Sequence, residues 1–393
     1  MKILYVINGL GTGGAEKMLY KLLSRLDRSQ FSPAVISLLD RGTVGEAIEA
    51  LDIPLYTLNA RLSLPNPFLV RTLAQIVKTI QPDLIQGRMY HGNLAAQLAS
   101  VVAPHPIPTL WSIHHSLNAL HSEKPMTQAL IRLGAQLSHL PRRILYVSHR
   151  SQLQHEALGY ERQQSHIIPN GCDTDRFCPD PLAASTLKQA LGLAPDTVLI
   201  GLIARFHPMK DHANFLQAAA QLKQHHSQVH ILLAGADIEP SNPHLMQQIQ
   251  TLGLQQQVHL LGDRQDMPTI MAALDLLCLT SAYGEAFPNV LIEAMACGTP
   301  CITTDVGDAA RIVDQTGWVI PPQNSAALVT ALQEFIALDG DRRQTLSHQA
   351  RQRVMQQFSL NAIVAQHEQL YHQTLESLTG NKLKKSLHSC HQK

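Results

Sequence analysis

Short apolar runs alternate with segments of helical periodicity along this chain from its first residues onward. Residues 3–7 form an apolar run, a glycine-rich turn follows, and Met18, Leu19, Leu22 and Leu23 then recur at helical spacing. A strand, a tight turn and a helix in that order are typical of a parallel sheet covered by helices on both faces. Further apolar runs of strand length cover 34–39, 54–58, 83–86, 109–113, 144–148, 166–169, 197–204, 229–235, 258–262, 275–280 and 301–304. The sequence therefore predicts an α/β protein.

The length of 393 residues is too great for one comfortable core and indicates two domains of ordinary size. The alternating pattern breaks at the turn-forming cluster 178–181 (Cys-Pro-Asp-Pro) and then restarts. We therefore predict five segments: an N-terminal domain over 1–172, a linker over 173–195, a C-terminal domain over 196–358, a helix over 359–379 that crosses back to the first domain, and a disordered basic tail over 380–393.

The charge balance and the cysteines exclude several classes of protein. Lys and Arg number 31 and Asp and Glu number 30, so no overall positive field recruits nucleic acid. The six cysteines include no C-x-x-C pair, which indicates a reducing compartment and no zinc site. No apolar stretch approaches the roughly 20 residues of a membrane span. We expect a cytoplasmic protein that is soluble or peripheral on the membrane.

A glycine-rich turn follows the first strand candidate. Gly9, Gly11 and Gly14 satisfy G-x-G-x-x-G between a strand and a helix, and Asp40 ends the next strand, as in a dinucleotide site. Taken alone, this pattern favours a nicotinamide-dependent dehydrogenase. Two alternatives remain: the glycines only form a tight turn, or Gly13 and Gly14 present their backbone to the diphosphate of a nucleotide sugar.

Two cations follow the strand candidate 197–204. Arg205 and Lys210 come at the carboxyl end of this strand, where open α/β sheets bind ligands. A guanidinium and an ammonium group together suit a diphosphate whose charge grows as it leaves, although two solvated surface cations would have the same spacing. A loop with Gly262 and Arg264 follows another strand and is placed to frame a nucleotide base.

The stretch 281–300 carries two glutamates eight residues apart, Glu285 and Glu293. Pro288 marks a helix start, so Glu285 precedes the helix and Glu293 lies about one turn inside it. One carboxylate can take sugar hydroxyls and the other ribose hydroxyls, while the first helical amides, near Asn289 and Val290, point at a phosphate. The alternative, two ordinary acids at a helix end, fits less well with the small apolar residues that follow.

The chain resembles the retaining nucleotide-sugar glycosyltransferases of glycosyltransferase family four over nearly its full length. The motifs that carry the resemblance fall in the family's order: Gly13-Gly14-Ala15-Glu16, Ile168-Pro169-Asn170-Gly171 with Asp173 and Phe177, Arg205 with Lys210, and 281–298 with the glutamates in E-x7-E spacing. The resemblance implies a GT-B fold, in which two Rossmann-like domains with parallel sheets face each other across a cleft and a C-terminal helix crosses back to the N-terminal lobe.

The resemblance also implies roles for individual residues. Glu285 would bind the donor sugar hydroxyls, Glu293 the ribose, Arg205 and Lys210 the diphosphate, and Gly14 the phosphate from the opposite lobe. The full set of predicted donor-binding residues is Gly13, Gly14, Arg205, Lys210, Gly262, Arg264, Glu285, Phe287, Pro288, Asn289, Val290 and Glu293.

The family places a histidine directly after the fifth strand of the first domain, near the donor sugar. Here that strand is followed by His114 and His115. Because the family's histidine comes directly after the strand, we predict His114 for this position, with His115 as the competing residue. The predicted catalytic residues are thus His114, Arg205, Lys210 and Glu285. One departure from the family pattern is Ala286, where glycine is common.

The resemblance implies retention of anomeric configuration through substitution on one face of the sugar. Uridine diphosphate is the family's commonest nucleotide, and the acceptor would be a polysaccharide, an oligosaccharide or a lipid-linked glycan of the cell surface. We predict no cofactor and no metal: Asp173-Thr174-Asp175 resembles the metal-binding D-x-D of another glycosyltransferase architecture but follows a lobe junction rather than a strand.

Other functions use the same features in part. A dehydrogenase leaves Arg205, Lys210 and the two glutamates without a role, an epimerase of nucleotide sugars would release no nucleotide diphosphate, and a sugar-binding protein would bind the donor without turnover. The stretches 61–71 and 117–143 mix cations with apolar residues and suit peripheral contact with anionic lipid, but ordinary solvated helix faces look the same.

Overall fold

The computed structural model describes the backbone of residues 1–60, 67–117 and 119–390, and the side chains of these residues outside 67–69 and 378–390. The chain divides into two compact units. Unit 1 comprises Met1–Gly171 and Leu360–Lys393, and unit 2 comprises Cys172–Ser359. These boundaries lie close to the predicted domain ends at 172 and 358.

The N-terminal part of unit 1 alternates strands and helices. Its strands are Lys2–Ile7 (β1), Ser32–Ser37 (β2), Leu55–Thr57 (β3), Leu84–Arg88 (β4), Thr109–Ile113 (β5), Arg143–Tyr146 (β6) and Ser165–Ile167 (β7). Its helices are Gly14–Arg25 (α1), Gly42–Glu49 (α2), Pro67–Ile80 (α3), Met89–Val102 (α4), Pro125–Leu137 (α5) and His149–Ala157 (α6).

Unit 2 continues the alternation. Its strands are Val198–Ile203 (β8), Val229–Ala234 (β9), Val258–Leu260 (β10), Leu276–Leu279 (β11), Cys301–Thr304 (β12) and Gly317–Ile320 (β13). Its helices are Ala183–Ala190 (α7), His212–Lys223 (α8), Pro243–Thr251 (α9), Met267–Ala273 (α10), Asn289–Ala296 (α11), Ala309–Val313 (α12), Ser325–Ile336 (α13) and Gly340–Gln357 (α14). The last helix of the chain is Leu360–Cys390 (α15).

The sheet of unit 1 is parallel, and the described residues form it in the order β3-β2-β1-β4-β5-β6-β7. Every residue of β1 after Lys2 is buried, as expected for a strand that is covered on both faces. The strand order reverses between β1 and β4, and Ile7 lies in register with Arg88 there. Open α/β sheets bind ligands at the carboxyl ends of the strands at such a switch point.

The sheet of unit 2 is also parallel, in the order β10-β9-β8-β11-β12-β13 across the described residues. Its strand order reverses between β8 and β11, so the segments after Ile203 and Leu279 meet at one edge. The sequence predicted the other strands of this sheet but not β13, whose residues Gly317 to Val319 are only partly buried or exposed.

The predicted linker over 173–195 is wrong, because these residues belong to unit 2 and include the helix α7. The helix α15 belongs to unit 1, where Ile363, Leu370 and Tyr371 pack in one cluster with the buried side chains of β1 and α1.

The predicted disordered tail over 380–393 also differs from the structure. The helix α15 continues through residues 380–390, and 391–393 lie outside the described residues. A lone glycine at position 380 costs only about 1 kcal/mol in a helix, and the Leu and Lys residues that follow have good helix propensity.

Candidate functional site

The switch point of unit 2 brings two predicted donor residues into contact. Lys210 ends a short 3-10 turn, Pro208–Lys210, shortly after β8, and Glu285 lies in the loop after β11. The Lys210 Nζ donates a hydrogen bond to Glu285 Oε1, and the Ser281 Oγ donates to the same oxygen at 2.6 Å. The side chains of Lys210 and Glu285 are only 15% and 9% exposed, so this ion pair is largely removed from water.

The loop that carries Glu285 is held by backbone contacts. The amide of Ala282 donates to the carbonyl of Met209 at 2.8 Å, which ties the loop to the turn before Lys210. On the other side, Gly307 has φ +64°, and a Cβ there would overlap the carbonyl of Glu285. The position of Glu285 therefore depends on a glycine about 20 residues further along the chain.

Arg205 lies two residues after the end of β8 and is exposed. The segments after β8 and β9 approach each other closely at this edge of the sheet. Gly235, directly after β9, has φ +139°, and a Cβ there would overlap the carbonyl of Ala204. Arg205 is thus placed at the same sheet edge as Lys210, with its guanidinium accessible to a ligand.

The helix α11 begins at Asn289, one residue after Pro288, as the sequence predicted for a helix start at this proline. Phe287 is 8% exposed and packs edge to face on Phe358, with ring centroids 5.6 Å apart. Glu293 lies in the second turn of the helix and is partly buried. The positive end of α11 thus follows the Glu285 loop, and the first residues, including Val290, present backbone amides there.

The loop with Gly262 and Arg264 is held by hydrogen bonds of its own, and its contact with a nucleotide base stays a prediction. Gly262 has φ +69°, and its carbonyl accepts from the amide of Gly235 at 2.8 Å. The guanidinium of Arg264 makes two hydrogen bonds to Asp266, at 2.8 and 2.6 Å, and these lower the pKa of that carboxyl. Both side chains are about half exposed, so Arg264 is engaged within its own loop.

The glycine loop of unit 1 has open space at Gly14, whereas the Glu16 carboxylate lies beside Gly13. Gly13 precedes α1 with extended backbone, and a Cβ at Gly14 would meet nothing within 4 Å. Behind the loop, Gly42 has φ +53°, and a Cβ there would overlap the carbonyl of Leu10. The helix end at Gly13 and Gly14 can therefore receive a phosphate, although the ligand itself stays a prediction.

His114 and His115 have different surroundings. His115 Nε2 lies 2.9 Å from the Oε1 of Glu123. Both ring nitrogens of His114 are buried and have no hydrogen-bond partner among the described residues. Burial, followed by the charge of Arg88, holds the pKa of His114 well below 6.5, so its imidazole is neutral. The contrast favours His114 as the residue with nitrogens free for a ligand.

The sequence did not predict the side chains that hold the His114–His115 segment in place. The Ser151 Oγ donates to the carbonyl of His115 at 2.5 Å, and Ser151 lies on α6 with His155. His155 Nδ1 lies 2.7 Å from the carbonyl of Ser151, and its Nε2 lies 2.8 Å from the Tyr90 hydroxyl. Burial lowers the pKa of His155 to about 4. A histidine among twenty-one gives no sequence signal for such a role.

The structure thus brings Lys210 and Glu285 together in unit 2. Gly13, Gly14 and His114 belong to unit 1, and their participation in one donor site with unit 2 stays a prediction.

No helix in the described part of the chain is both long and apolar enough to cross a membrane. Within the same part, no three His, Cys, Asp or Glu side chains are grouped to hold a metal ion. Of the predicted lipid-contacting stretch 61–71, residues 61–66 lie outside the described residues.

Two family models match the chain in succession. The model described as Glycosyltransferase Family 4 matches residues 12–176, and the one described as Glycosyl transferases group 1 matches residues 184–353. Together they cover most of both units.

Individual relatives match over most of their length. The putative glycosyltransferase EpsF of Bacillus subtilis is 29% identical over 319 residues, which are 77% of this chain and 79% of that protein. The N-acetyl-alpha-D-glucosaminyl L-malate synthase of Bacillus anthracis is 24% identical over 74% of each chain. Among solved structures, HepE of Anabaena in complex with UDP superposes with a TM-score of 0.83 at 27% identity, covering 95% of this chain and 100% of that one.

Proposed function

We propose that this chain, which belongs to glycosyltransferase family four and has the GT-B fold, transfers a sugar from a UDP-sugar to a glycan or lipid-linked glycan acceptor with retention of anomeric configuration. Its membership makes it a glycosyltransferase that uses a nucleotide sugar. The choice of uridine is supported by HepE, which is 26 to 27% identical and was solved with UDP, with UDP and glucose, and with UDP-glucose.

The observation that carries the proposal is the buried contact of Lys210 with Glu285 at the switch point of unit 2. A lysine and a carboxylate held there by Ser281 supply the two kinds of group that a nucleotide sugar needs. The ammonium attracts the diphosphate, and the carboxylate accepts hydrogen bonds from sugar hydroxyls. In the free protein each group compensates the charge of the other, and the donor replaces these contacts.

Departure of the diphosphate is the step that these residues would promote. Negative charge grows on the leaving oxygen, and Lys210, the exposed Arg205 and the amide end of α11 are placed to stabilise it. Glu293 would hold the ribose. Gly13 and Gly14 would bind phosphate through backbone amides, and neutral His114 would accept a hydrogen bond from a sugar hydroxyl with the ring nitrogen that carries no proton.

Retention follows if the acceptor attacks on the face from which the diphosphate leaves. The leaving phosphate oxygen then accepts the proton of the acceptor hydroxyl, so that no enzyme carboxylate becomes bonded to the sugar. Orientation of the two reactants in one site supplies much of the rate. We place the reaction in the cytoplasm, with peripheral contact to the inner face of the cell membrane where the acceptor is lipid-linked.

The competing functions differ in how they use this contact and in what they release. A dehydrogenase with its nicotinamide nucleotide on the glycine loop needs neither Lys210 nor Glu285. A nucleotide-sugar epimerase would use the diphosphate contacts but release no nucleotide diphosphate.

The test is a panel of UDP-, GDP- and ADP-sugars scored by nucleotide release, with and without lipid-linked acceptors, and with the product anomer read by NMR. We expect release with a UDP-sugar and loss of at least about 100-fold in rate for Glu285→Gln and for Lys210→Ala. Arg342→Ala is the matched control, because Arg342 forms an exposed ion pair with Asp339 at the start of α14. No release from any donor, or wild-type rates for both site variants, would reject the proposal.

A further inference from the structure

Arg88 is a buried cation without a full set of partners. It ends β4 at the switch point of unit 1, and only 1% of its surface is exposed. Its Nε and Nη1 atoms are inaccessible to water and have no hydrogen-bond partner among the described residues. Such a group is costly to bury, so its presence needs an explanation beyond packing.

Several polar side chains near Arg88 are paired with one another and leave the guanidinium donors of Arg88 unused. Gln86, two residues earlier on β4, donates from Nε2 to the Ser112 Oγ at 2.7 Å. The hydroxyl of Tyr371, on α15, donates to Gln86 Oε1 at 2.7 Å and lies 3.1 Å from the hydroxyl of Tyr5. These four side chains are therefore paired with one another, whereas Arg88 and His114 keep buried nitrogen atoms without a hydrogen-bond partner among the described residues.

Arg88, His114 and His367 line one small cavity in unit 1. No Asp or Glu is among the described residues that line it. Burial and the charge of Arg88 lower the pKa of His367 to about 3, so this histidine is neutral as well. The Glu16 carboxylate on α1 also acts on the charge of Arg88, but Glu16 does not line the cavity.

The size of the cavity limits what can enter it. The space open to the centre of a water molecule is about 10 Å³. This is enough for one water or for one oxygen atom of a larger group. His114 is partly exposed although its nitrogens are buried, so the remainder of a ligand can lie on the His114 side. An anionic oxygen there can accept from Arg88 Nε and Nη1 and from a ring N–H of His114.

We propose that this cavity binds an oxyanion, a carboxylate or a phosphate, carried by the acceptor, with Arg88 as the charged ligand and His114 as a second donor. The assignment to the acceptor rests on the proposed glycosyl transfer. The anion site itself rests on the unpartnered Arg88, the cavity and the switch-point position. An anion site that binds the acceptor restricts that acceptor to an acidic glycan or a phosphate-linked one.

The test is thermal denaturation of the full chain at constant ionic strength, with D-glucuronate, inorganic phosphate, D-glucose or chloride added. We expect glucuronate or phosphate to raise the Tm by at least about 2 °C with saturation, while glucose and chloride leave it unchanged. Arg88→Met should lose this response, and Arg142→Met, at an exposed arginine of the same unit, should keep it. A response to glucuronate alone identifies a sugar acid, and a response to phosphate alone identifies a phosphorylated group.

A phosphate response that survives in Arg88→Met comes from another site and overturns the proposal, as does the absence of any response in the wild type. Should Arg88→Met fail to fold, crystals of the wild-type protein grown with each anion decide the matter. Density within hydrogen-bond distance of Arg88 Nε supports the site, and a water there at saturating anion refutes it. Because these readouts need no turnover, inactivity with every donor would reject the proposed function while leaving the anion result standing.

Discussion

The contact between Lys210 and Glu285 gives a prediction whose size follows from the structure. Replacing Lys210 by Met leaves the Glu285 carboxylate with Ser281 as its remaining side-chain hydrogen-bond partner among the described residues, and the Glu285 side chain is only 9% exposed. Breaking a buried ion pair from one side costs about 3–5 kcal/mol. Since one edge of this pair still reaches water, we expect a smaller loss, about 2–3 kcal/mol, for Lys210→Met and also for Glu285→Gln.

A double-mutant cycle separates the contact from the other effects of each substitution. The variant with both changes should be more stable than the sum of the single losses predicts, by about 1–3 kcal/mol, because neither group is then left with an uncompensated charge. For a unit of this size, 1 kcal/mol corresponds to about 2–4 °C in Tm, so each single variant should melt roughly 4–12 °C lower.

The assay is thermal denaturation of the four proteins followed by circular dichroism, with urea denaturation as a second measure. Losses that add within about 0.5 kcal/mol would show that the two side chains are not coupled, and the reasoning from their burial would then be wrong. In the transfer assay the double variant should remain inactive despite its partial recovery of stability, because the proposed donor site uses both groups.

Three further predictions concern other parts of the molecule. Gly307→Ala should lower the transfer rate, measured by nucleotide release, at least about tenfold, because the added Cβ would displace the loop that carries Glu285. Gly192 is the matched control, since it has φ +67° and open space around it. Gly192→Ala should cost only the backbone strain of about 1 kcal/mol and keep the transfer rate. His114→Ala should reduce kcat/KM more than His115→Ala, whose ring is held by an acid; equal losses would contradict the choice between them. His155 has a pKa of about 4 in the folded protein and about 6.5 in the unfolded chain, which therefore binds the proton more readily. The contribution of His155 to the free energy of unfolding is complete above pH 6.5 and falls by about 1.4 kcal/mol per pH unit toward pH 4. His155→Phe should make the Tm less dependent on pH between pH 6.5 and 5, and an unchanged slope would refute the assignment.

Most of the strands could be predicted because buried parallel strands are apolar on both faces. The exception, β13, begins at Gly317 and lies at the edge of its sheet, so its burial is incomplete and its apolar signal short. The linker was predicted from a turn-forming cluster at 178–181, which ends before α7 begins. A local breaker marks an interruption of regular structure but not the border of a compact unit.

Part of the candidate site was predictable because it lies next to strand ends. Lys210 and Glu285 each follow a strand, and the reversal of strand order brings those ends together. Their direct contact spans 75 residues and depends on the sheet order, which local patterns do not contain. Arg88 gave no signal, since a single arginine after an apolar run is ordinary in a sequence and becomes unusual only when it is buried.

The helix α15 has a consequence for how the protein is made. Its residues Leu370 and Tyr371 complete the cluster that contains Ile3 and Tyr5, so the first and last parts of the chain share one core. On the ribosome, the roughly 190 residues of unit 2 are translated between them, which takes about 10 to 40 s at common elongation rates. During that time the apolar side chains that α15 later covers are exposed to water and can bind chaperones. Unit 2 is contiguous in sequence and can fold as it emerges. A premature stop after Ser359 would leave a complete unit 2 attached to a nascent half with an open core.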